Sequence, residues 1–271
     1  LPAEAGDWWG DYIVPSAPAT DRYIPAVQTK AGDLRVVHHA LTYAVTDPDA
    51  PLADSSGDAF LNEYAVGKNA DVYPDGTGRL FEADSRVRFS FHYHSVGEEV
   101  TDQTELGLVL YPEDYEPDHI LYSRQLGQAG ELDIPAGQVT RHDGYQKMYL
   151  PGKLTAFQPH MHFLGTRQCV EMIYPNGSTE MVNCANFDFN WHVNYVYTDD
   201  SAPVLPAGTM IHITAWHDNS VGNPANPDAT QWVGWGQRSY DEMYHAHVNV
   251  TYLSDEDYEE IIAGRQQGSL D

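Results

Sequence analysis

Polar and apolar residues alternate in short runs along most of the chain. The segments RVRFSFHYH (86–94), ELGLVLY (105–111), QCVEMIY (168–174), MIHITAW (210–216) and HAHVNVTYL (245–253) are rich in Val, Ile, Thr and aromatics. Such runs predict half-buried β-strands. Pro/Gly/Asn punctuation separates them, as in PDGTG, PNGS, LPAG and NPANPD, where turns are expected. Helical periodicity is confined to the acidic tail SDEDYEEIIAGRQQG, which predicts a short helix after Ser254. The expected fold class is therefore all-β, built as antiparallel sandwich or barrel sheets. No internal repeat or low-complexity tract interrupts it. Pro-Gly turns bracket the segment LDIPAGQVTRHDGYQKMYLPGK, which suggests two domains over 1–145 and 146–271.

With 271 residues and 42% hydrophobic content, the chain is long enough to bury a sizeable core. Fourteen Lys and Arg against 40 Asp and Glu give a formal charge of −26. A surface of that sign repels nucleic acid and anionic membranes, so neither is an expected partner. No apolar stretch reaches the ~18 residues of a membrane span. The opening LPAEAGDWWGDY has no basic and apolar leader, which suggests a processed chain, with room for a further domain upstream in a precursor.

Two cysteines refine the picture. Cys169 and Cys184 flank a segment centred on Asn176-Gly177, a strong signal for a two-residue type I′ hairpin turn. Counting outward from that turn sets the two cysteines directly opposite each other as a hydrogen-bonded pair, with Cα atoms about 5.5 Å apart. A disulfide can bridge that distance; the other reading is a pair of core thiols. A disulfide places the protein in an oxidising compartment, secreted or periplasmic.

Thirteen histidines carry the candidate chemistry, in four groups: His38-His39, His92 with His94, His160 with His162, and His245 with His247. Residues i and i+2 on a strand share a face, so each H-x-H can offer two imidazoles to one metal. His38 and His39 point to opposite faces of a regular strand, and both reach one ion only across a bend or bulge. Val36-Val37 ahead of them suggests a strand ending there. A lone H-x-H is more often a pair of surface or hydrogen-bonded histidines; four groups together favour a transition metal. His119, His142, His192, His212 and His217 stand alone and read as core, surface or hydrogen-bonding residues. Imidazole suits zinc, copper, iron and nickel, whereas thioether selects Cu(I). Met161 points away from its two neighbours and should pack in the core, while Met243, just before His245, is placed to face a site or to pack.

The ordered set VVHHA, FHYHSVGEE, FQPHMHFLG, FDFNW and SYDEM resembles the copper type II, ascorbate-dependent monooxygenases, the family of peptidylglycine α-hydroxylating monooxygenase and dopamine β-monooxygenase. The likeness runs from about Asp21 to Leu253. The bacterial branch is nearest, through GKNADVYPDGTGRL, FDFNWH and WHDNSVGNPANPD. The resemblance implies two consecutive β-sandwich (jelly-roll-like) domains facing a cleft, each holding one copper. His38, His39 and His92 match the electron-storing site. His160, His162 and Met243 match the catalytic site, where dioxygen binds and a substrate C–H bond is hydroxylated. An external reductant such as ascorbate, or a redox partner, restores both coppers. Asp241, Glu242 and Tyr93 are candidates to support the ligands.

Departures from the family pattern bear on substrate. Gln158 stands where the peptide-amidating enzymes have an arginine for the substrate carboxylate, and His245 and His247 replace an asparagine and a tyrosine that also hold the peptide. Peptide amidation is therefore not expected; a small organic substrate is. His94, His245 and His247 are possible additional ligands. The competing expectation is a non-catalytic copper-binding or electron-transfer protein, or a structural subunit of a larger assembly.

Overall fold

A computed structural model describes residues 1–15, 18–47, 49, 59–127 and 132–268. The chain is all-β apart from a C-terminal helix, and divides into two compact units, Leu1–Arg124 and Gln125–Asp271. The first holds β1 (Asp7–Val14), β2 (Arg22–Ile24), β3 (Ala26–Lys30), β4 (Val37–Val45), β5 (Phe60–Ala65), β6 (Asp71–Val72), β7 (Thr77–Phe81), β8 (Arg86–His94), β9 (Glu105–Val109) and the start of β10 (His119–Leu126). The second holds β11 (Asp133–Ile134), β12 (Val139–Lys147), β13 (Gly152–Met161), β14 (Gly165–Ile173), β15 (Thr179–Asn186), β16 (Tyr195–Val196), β17 (Val204–Leu205), β18 (Met210–Asp218), β19 (Val233–Gly234), β20 (Tyr244–Tyr252) and α1 (Asp255–Gly268).

In the first unit, β1, β8, β4 and β5 form one antiparallel sheet, and β3 pairs with β6 and β9 in another. Val27 of β3, Val37 and Ala40 of β4, Leu61 of β5 and Phe91 of β8 pack into one core. The same principle builds the second unit. Leu154 and Phe157 of β13 and Val248 and Val250 of β20 join Val170 and Met172 of β14 and Ile211 and Ile213 of β18 in one cluster. The sheet β12-β18-β14-β15 thus shares a core with the pair β13-β20. Strands such as β3 and β9 alternate between buried or half-buried positions and exposed ones, whereas β5, β13 and β20 are buried on both faces.

The segment read as an interdomain boundary lies inside the second unit. β12 pairs with β18 along its whole length, from Val139 opposite Asp218 to Lys147 opposite Met210. The Pro-Gly punctuation there brackets a strand rather than a linker, and the contact division falls earlier, between Arg124 and Gln125.

The cysteine hairpin is present with a different turn. Gly177 N donates to Tyr174 O and Tyr174 N to Ser178 O, so three residues make the loop, and Gly177 takes φ +84°. That is a type I turn closed by a left-handed glycine, not the expected two-residue I′ turn. It shifts the register by one, and a bulge at Val182 shifts it back, since Val170 faces Asn183 while Glu171 faces Met181. Cys169 therefore still faces Cys184, and the disulfide is formed. Their Cα atoms are 4.1 Å apart, nearer the close spacing of a non-hydrogen-bonded pair than the expected one. At the tail, Ser254 starts α1 as read: Asp257 N donates to Ser254 Oγ (3.1 Å), and Ser254 N donates back to Asp257 Oδ2 (3.3 Å).

Candidate metal centres

In the first unit a β-bulge makes the site. Val37 faces Tyr93 and His39 faces His92, so β4 spends two residues where β8 spends one, and His38 is the extra residue. The bulge sits at the start of a strand that runs on to Val45; the expectation of a strand ending at Val37 is corrected. His38, His39 and His92 each offer a ring nitrogen, and these nitrogens lie within 4.8 Å of one another. Ring centroids are 5.4 Å apart for His38–His39, 4.9 Å for His38–His92 and 5.0 Å for His39–His92.

β1 closes over the third imidazole. Trp9, directly opposite His92, stacks on its ring at 4.6 Å with planes 14° apart. Asp7 Oδ2 stands 3.6 Å from His92 Nε2, while Asp7 Oδ1 is hydrogen-bonded to His94 Nδ1 at 2.9 Å. His94 is exposed and stands outside the three-histidine group, tied to Asp7. Tyr93 points to the other face; its hydroxyl donates to Asp102 (2.9 Å), and burial raises its pKa well above the usual phenol range.

In the second unit β13 and β20 supply a histidine-rich face. Their register sets His160 opposite His245 and Gln158 opposite His247. Directly opposed residues share a face, so all four project together, while Phe157, Ala246 and Val248 fill the core behind them. Gln158 is buried, and so are His160, His245 and His247. The ring of His160 is 5.7 Å from His162, 5.7 Å from His247 and 6.3 Å from His245. Ring nitrogens of His160 and His247 lie within 4.8 Å. Met161 is fully buried in a small cluster with Leu164, Ala215 and Tyr244, the core fate expected of it.

His162 lies just beyond the end of β13 and opens the turn to β14, where Gly165 N donates to His162 O. Its Nδ1 is 3.0 Å from the carbonyl of Asp241. A carbonyl only accepts, so the neutral ring donates through Nδ1 and keeps its lone pair on Nε2. The backbone here is gathered by one carboxylate, fully buried Glu242. Its Oε2 accepts from His162 N (2.9 Å) and Met243 N (3.1 Å), and its Oε1 from Leu164 N (2.6 Å). Burial pushes its pKa up to about 8 even though these amides and that of Gly165 pull the other way. His217, also fully buried, donates from Nε2 to Met243 O (3.1 Å), and burial lowers its pKa to about 4. Both peptide groups of half-buried Met243 are thus held by side chains, beside the backbone of His162. Asp241 is paired with Arg238 (2.6 Å), which keeps its carboxyl below the usual range.

One histidine escaped the sequence reading. His192 follows the FDFNW motif and was grouped with the isolated histidines, yet its ring stands 5.3 Å from His160, held through Nε2 to Phe189 O at 3.0 Å. The motif beside it was the available signal. His142 and His212 behave as read: His142 bonds Thr140 Oγ1, and His212 lies between Asp143 and Glu171.

No family model matches the chain, and no curated protein matches it. Among solved structures it is similar to capsid proteins of infectious bursal disease virus. The T13 viral particle gives a TM-score of 0.26 at 10% identity over 88% of this chain and 56% of that one. The Gx strain structure gives 0.27 at 10% identity over 87% and 58%. The chain thus spans less than two thirds of those proteins, and likenesses of that size carry no argument about its fold or activity.

Proposed function

We propose that the protein is a secreted or periplasmic two-copper monooxygenase that hydroxylates a C–H bond of a small organic substrate, using dioxygen and a reductant such as ascorbate. The observation that carries this is the three-imidazole group of His38, His39 and His92, made by a bulge whose extra residue is itself a histidine. Three buried or half-buried imidazoles are a donor set for a borderline transition metal, and they tolerate both oxidation states of copper. The disulfide supports an oxidising compartment.

On this reading His38, His39 and His92 hold one copper, and His160, His162 and Met243 the other. Bound copper would supply electron storage at the first set and dioxygen activation at the second. The chain's own residues do the rest. The backbone carbonyl of Asp241 fixes the tautomer of His162 and would leave the Nε2 lone pair for a metal. Glu242 and His217 fix the peptide groups of Met243. Trp9 covers one face of His92 and limits its motion. Gln158, which is uncharged, stands where a carboxylate clamp would need a cation, with His247 opposite it, so a substrate without a carboxylate fits best.

The test is elemental analysis of the copper-loaded, desalted chain, followed by oxygen uptake with ascorbate and candidate substrates. Two coppers per chain and oxygen uptake above the free-copper background support the proposal. Met243→Ile should keep the fold and lose turnover at least about a hundredfold, because thioether stabilises the reduced ion that meets dioxygen. Full turnover in that variant overturns the assignment of the second site. The altered pocket residues favour one other reading, a copper-binding or electron-transfer protein, which would bind both ions and consume no oxygen above background.

A further inference from the structure

We infer that Asp7 is a positioning residue of the first centre: its carboxylate, tethered by His94, backs the ring of His92 and favours the oxidised over the reduced ion there. This rests on the two-copper reading above and concerns a residue outside the ligand set that the resemblance implies.

β1 is the edge strand of its sheet and pairs with β8 from Asp7 opposite His94 to Val14 opposite Val87. Asp7 and Trp9 share one face of β1, and their partners His94 and His92 share the matching face of β8. The carboxylate is divided between the two histidines. Oδ1 is hydrogen-bonded to His94 Nδ1 at 2.9 Å, while Oδ2 stands 3.6 Å from His92 Nε2. The second distance is that of an ion pair rather than a hydrogen bond. The side chain of Asp7 is 17% exposed and that of His92 1%, so water screens this charge less than it screens a surface carboxylate. His94, 60% exposed, holds the carboxylate from the solvent side.

The ring edges are consistent with this division. The Nδ1 atoms of His38 and His39 are 3.2 Å apart. Two nitrogens bound at ~2.0 Å to one tetrahedral ion stand roughly 3.3 Å apart. At His92 a proton on Nε2, the edge toward Asp7, leaves the Nδ1 lone pair for the same ion. Trp9, stacked on that ring at 4.6 Å, keeps its plane in place. A negative charge behind a ligand imidazole makes the ring a stronger donor and favours the higher charge on the ion. A centre so biased gives up its electron more readily, as an electron store must.

The experiment uses the full chain with the second set disabled by His160→Ala and His162→Ala. Competing chelators measure its Cu(II) and Cu(I) affinities, and electron paramagnetic resonance reads the Cu(II) signal. Asp7→Asn, which keeps the shape and removes the charge, should lower Cu(II) affinity about tenfold or more and Cu(I) affinity less. The ratio of the two therefore falls, and the copper becomes easier to reduce. Asp7→Glu retains the charge and should stay near the starting ratio. Asp11→Asn removes the same charge from the same face of β1, opposite Ser90, and should leave the ratio unmoved. If the background variant fails to fold, the same substitutions are made in the native chain, and the signal lost in His38→Ala identifies the first copper. Equal loss of both affinities in Asp7→Asn would show a packing role and overturn the inference. So would an unchanged ratio, a shift as large in Asp11→Asn, or an Asp7→Glu variant as altered as Asp7→Asn. Each of those outcomes leaves the two-copper reading standing. A folded chain that binds no copper through His38, His39 and His92 overturns that reading, and this inference with it.

Discussion

His38 is both a backbone irregularity and a candidate ligand, and the two are one fact. On an unbroken strand it would point away from His39; as the extra residue of a bulge it joins His39 and His92. Removing its imidazole leaves two donors where the group has three. His38→Ala is therefore expected to lower bound copper from two ions per chain to one, read by elemental analysis, with the β-rich circular dichroism unchanged. The grouping of His92 with His38 and His39 is legible only through the family resemblance, because period-two spacing and a His-His pair do not say which distant strands meet. What the residues alone did not disclose was which histidines come together from afar. His192 and His160 are far apart in sequence and meet only through the loop after β15. His94 has the same spacing to His92 as any H-x-H, yet Asp7 on the neighbouring strand claims it.

At the scale of elements, the five strands read from alternation appear as β8, β9, β14, β18 and β20, and the capped tail as α1. Alternation of apolar and polar residues is legible where one face of a strand packs on a core, as in β9 and β14; it does not reveal that β20 is buried on both faces. The turn between β14 and β15 was not legible, because Asn-Gly serves both a two-residue I′ turn and a three-residue turn ending in a left-handed glycine. The pairing of Cys169 with Cys184 survived that ambiguity only because the bulge at Val182 cancels the shift. Reducing the disulfide frees a loop of fifteen residues' separation and should cost about 3 kcal/mol on the chain-entropy model, measured by urea unfolding with and without reductant. A larger effect is expected at the junction of β13, β14 and β20. Glu242→Ala would orphan the amides of His162, Leu164 and Met243 in the interior. Each buried unsatisfied amide costs about 1–3 kcal/mol, so the variant should lose ~3 kcal/mol or more. It should also lose the second copper while keeping the first, a split visible in the copper count.

For the whole molecule, acidity and burial give opposite kinds of pH dependence. The formal charge of −26 produces diffuse repulsion that salt screens, so added sodium chloride should raise the melting temperature of the metal-free chain. The two buried groups beside Met243 act locally and by linkage. Glu242 has its folded pKa raised from 4.5 to about 8. It therefore favours folding below the unfolded value, and that contribution is lost as pH rises through about 8. His217 has its folded pKa lowered from 6.5 to about 4, so its neutral form favours folding above 6.5 and the contribution is lost as pH falls toward 4. Between pH 4.5 and 6.5 the two slopes oppose. From 6.5 to 8 only Glu242 still titrates between its two values, and the folded chain binds the extra proton. Stability of the metal-free protein should accordingly fall across that window, with a limiting slope of about 1.4 kcal/mol per pH unit. Glu242→Gln, which does not titrate, should flatten the window, while His217→Gln should leave it in place and extend the fall down toward pH 4.5, where the opposing slope of the histidine is gone. Chemical unfolding at fixed high salt, at half-unit steps from pH 4 to 9, reads all three curves. An unchanged fall between 6.5 and 8 in Glu242→Gln would assign it to the surface charge instead of this carboxylate.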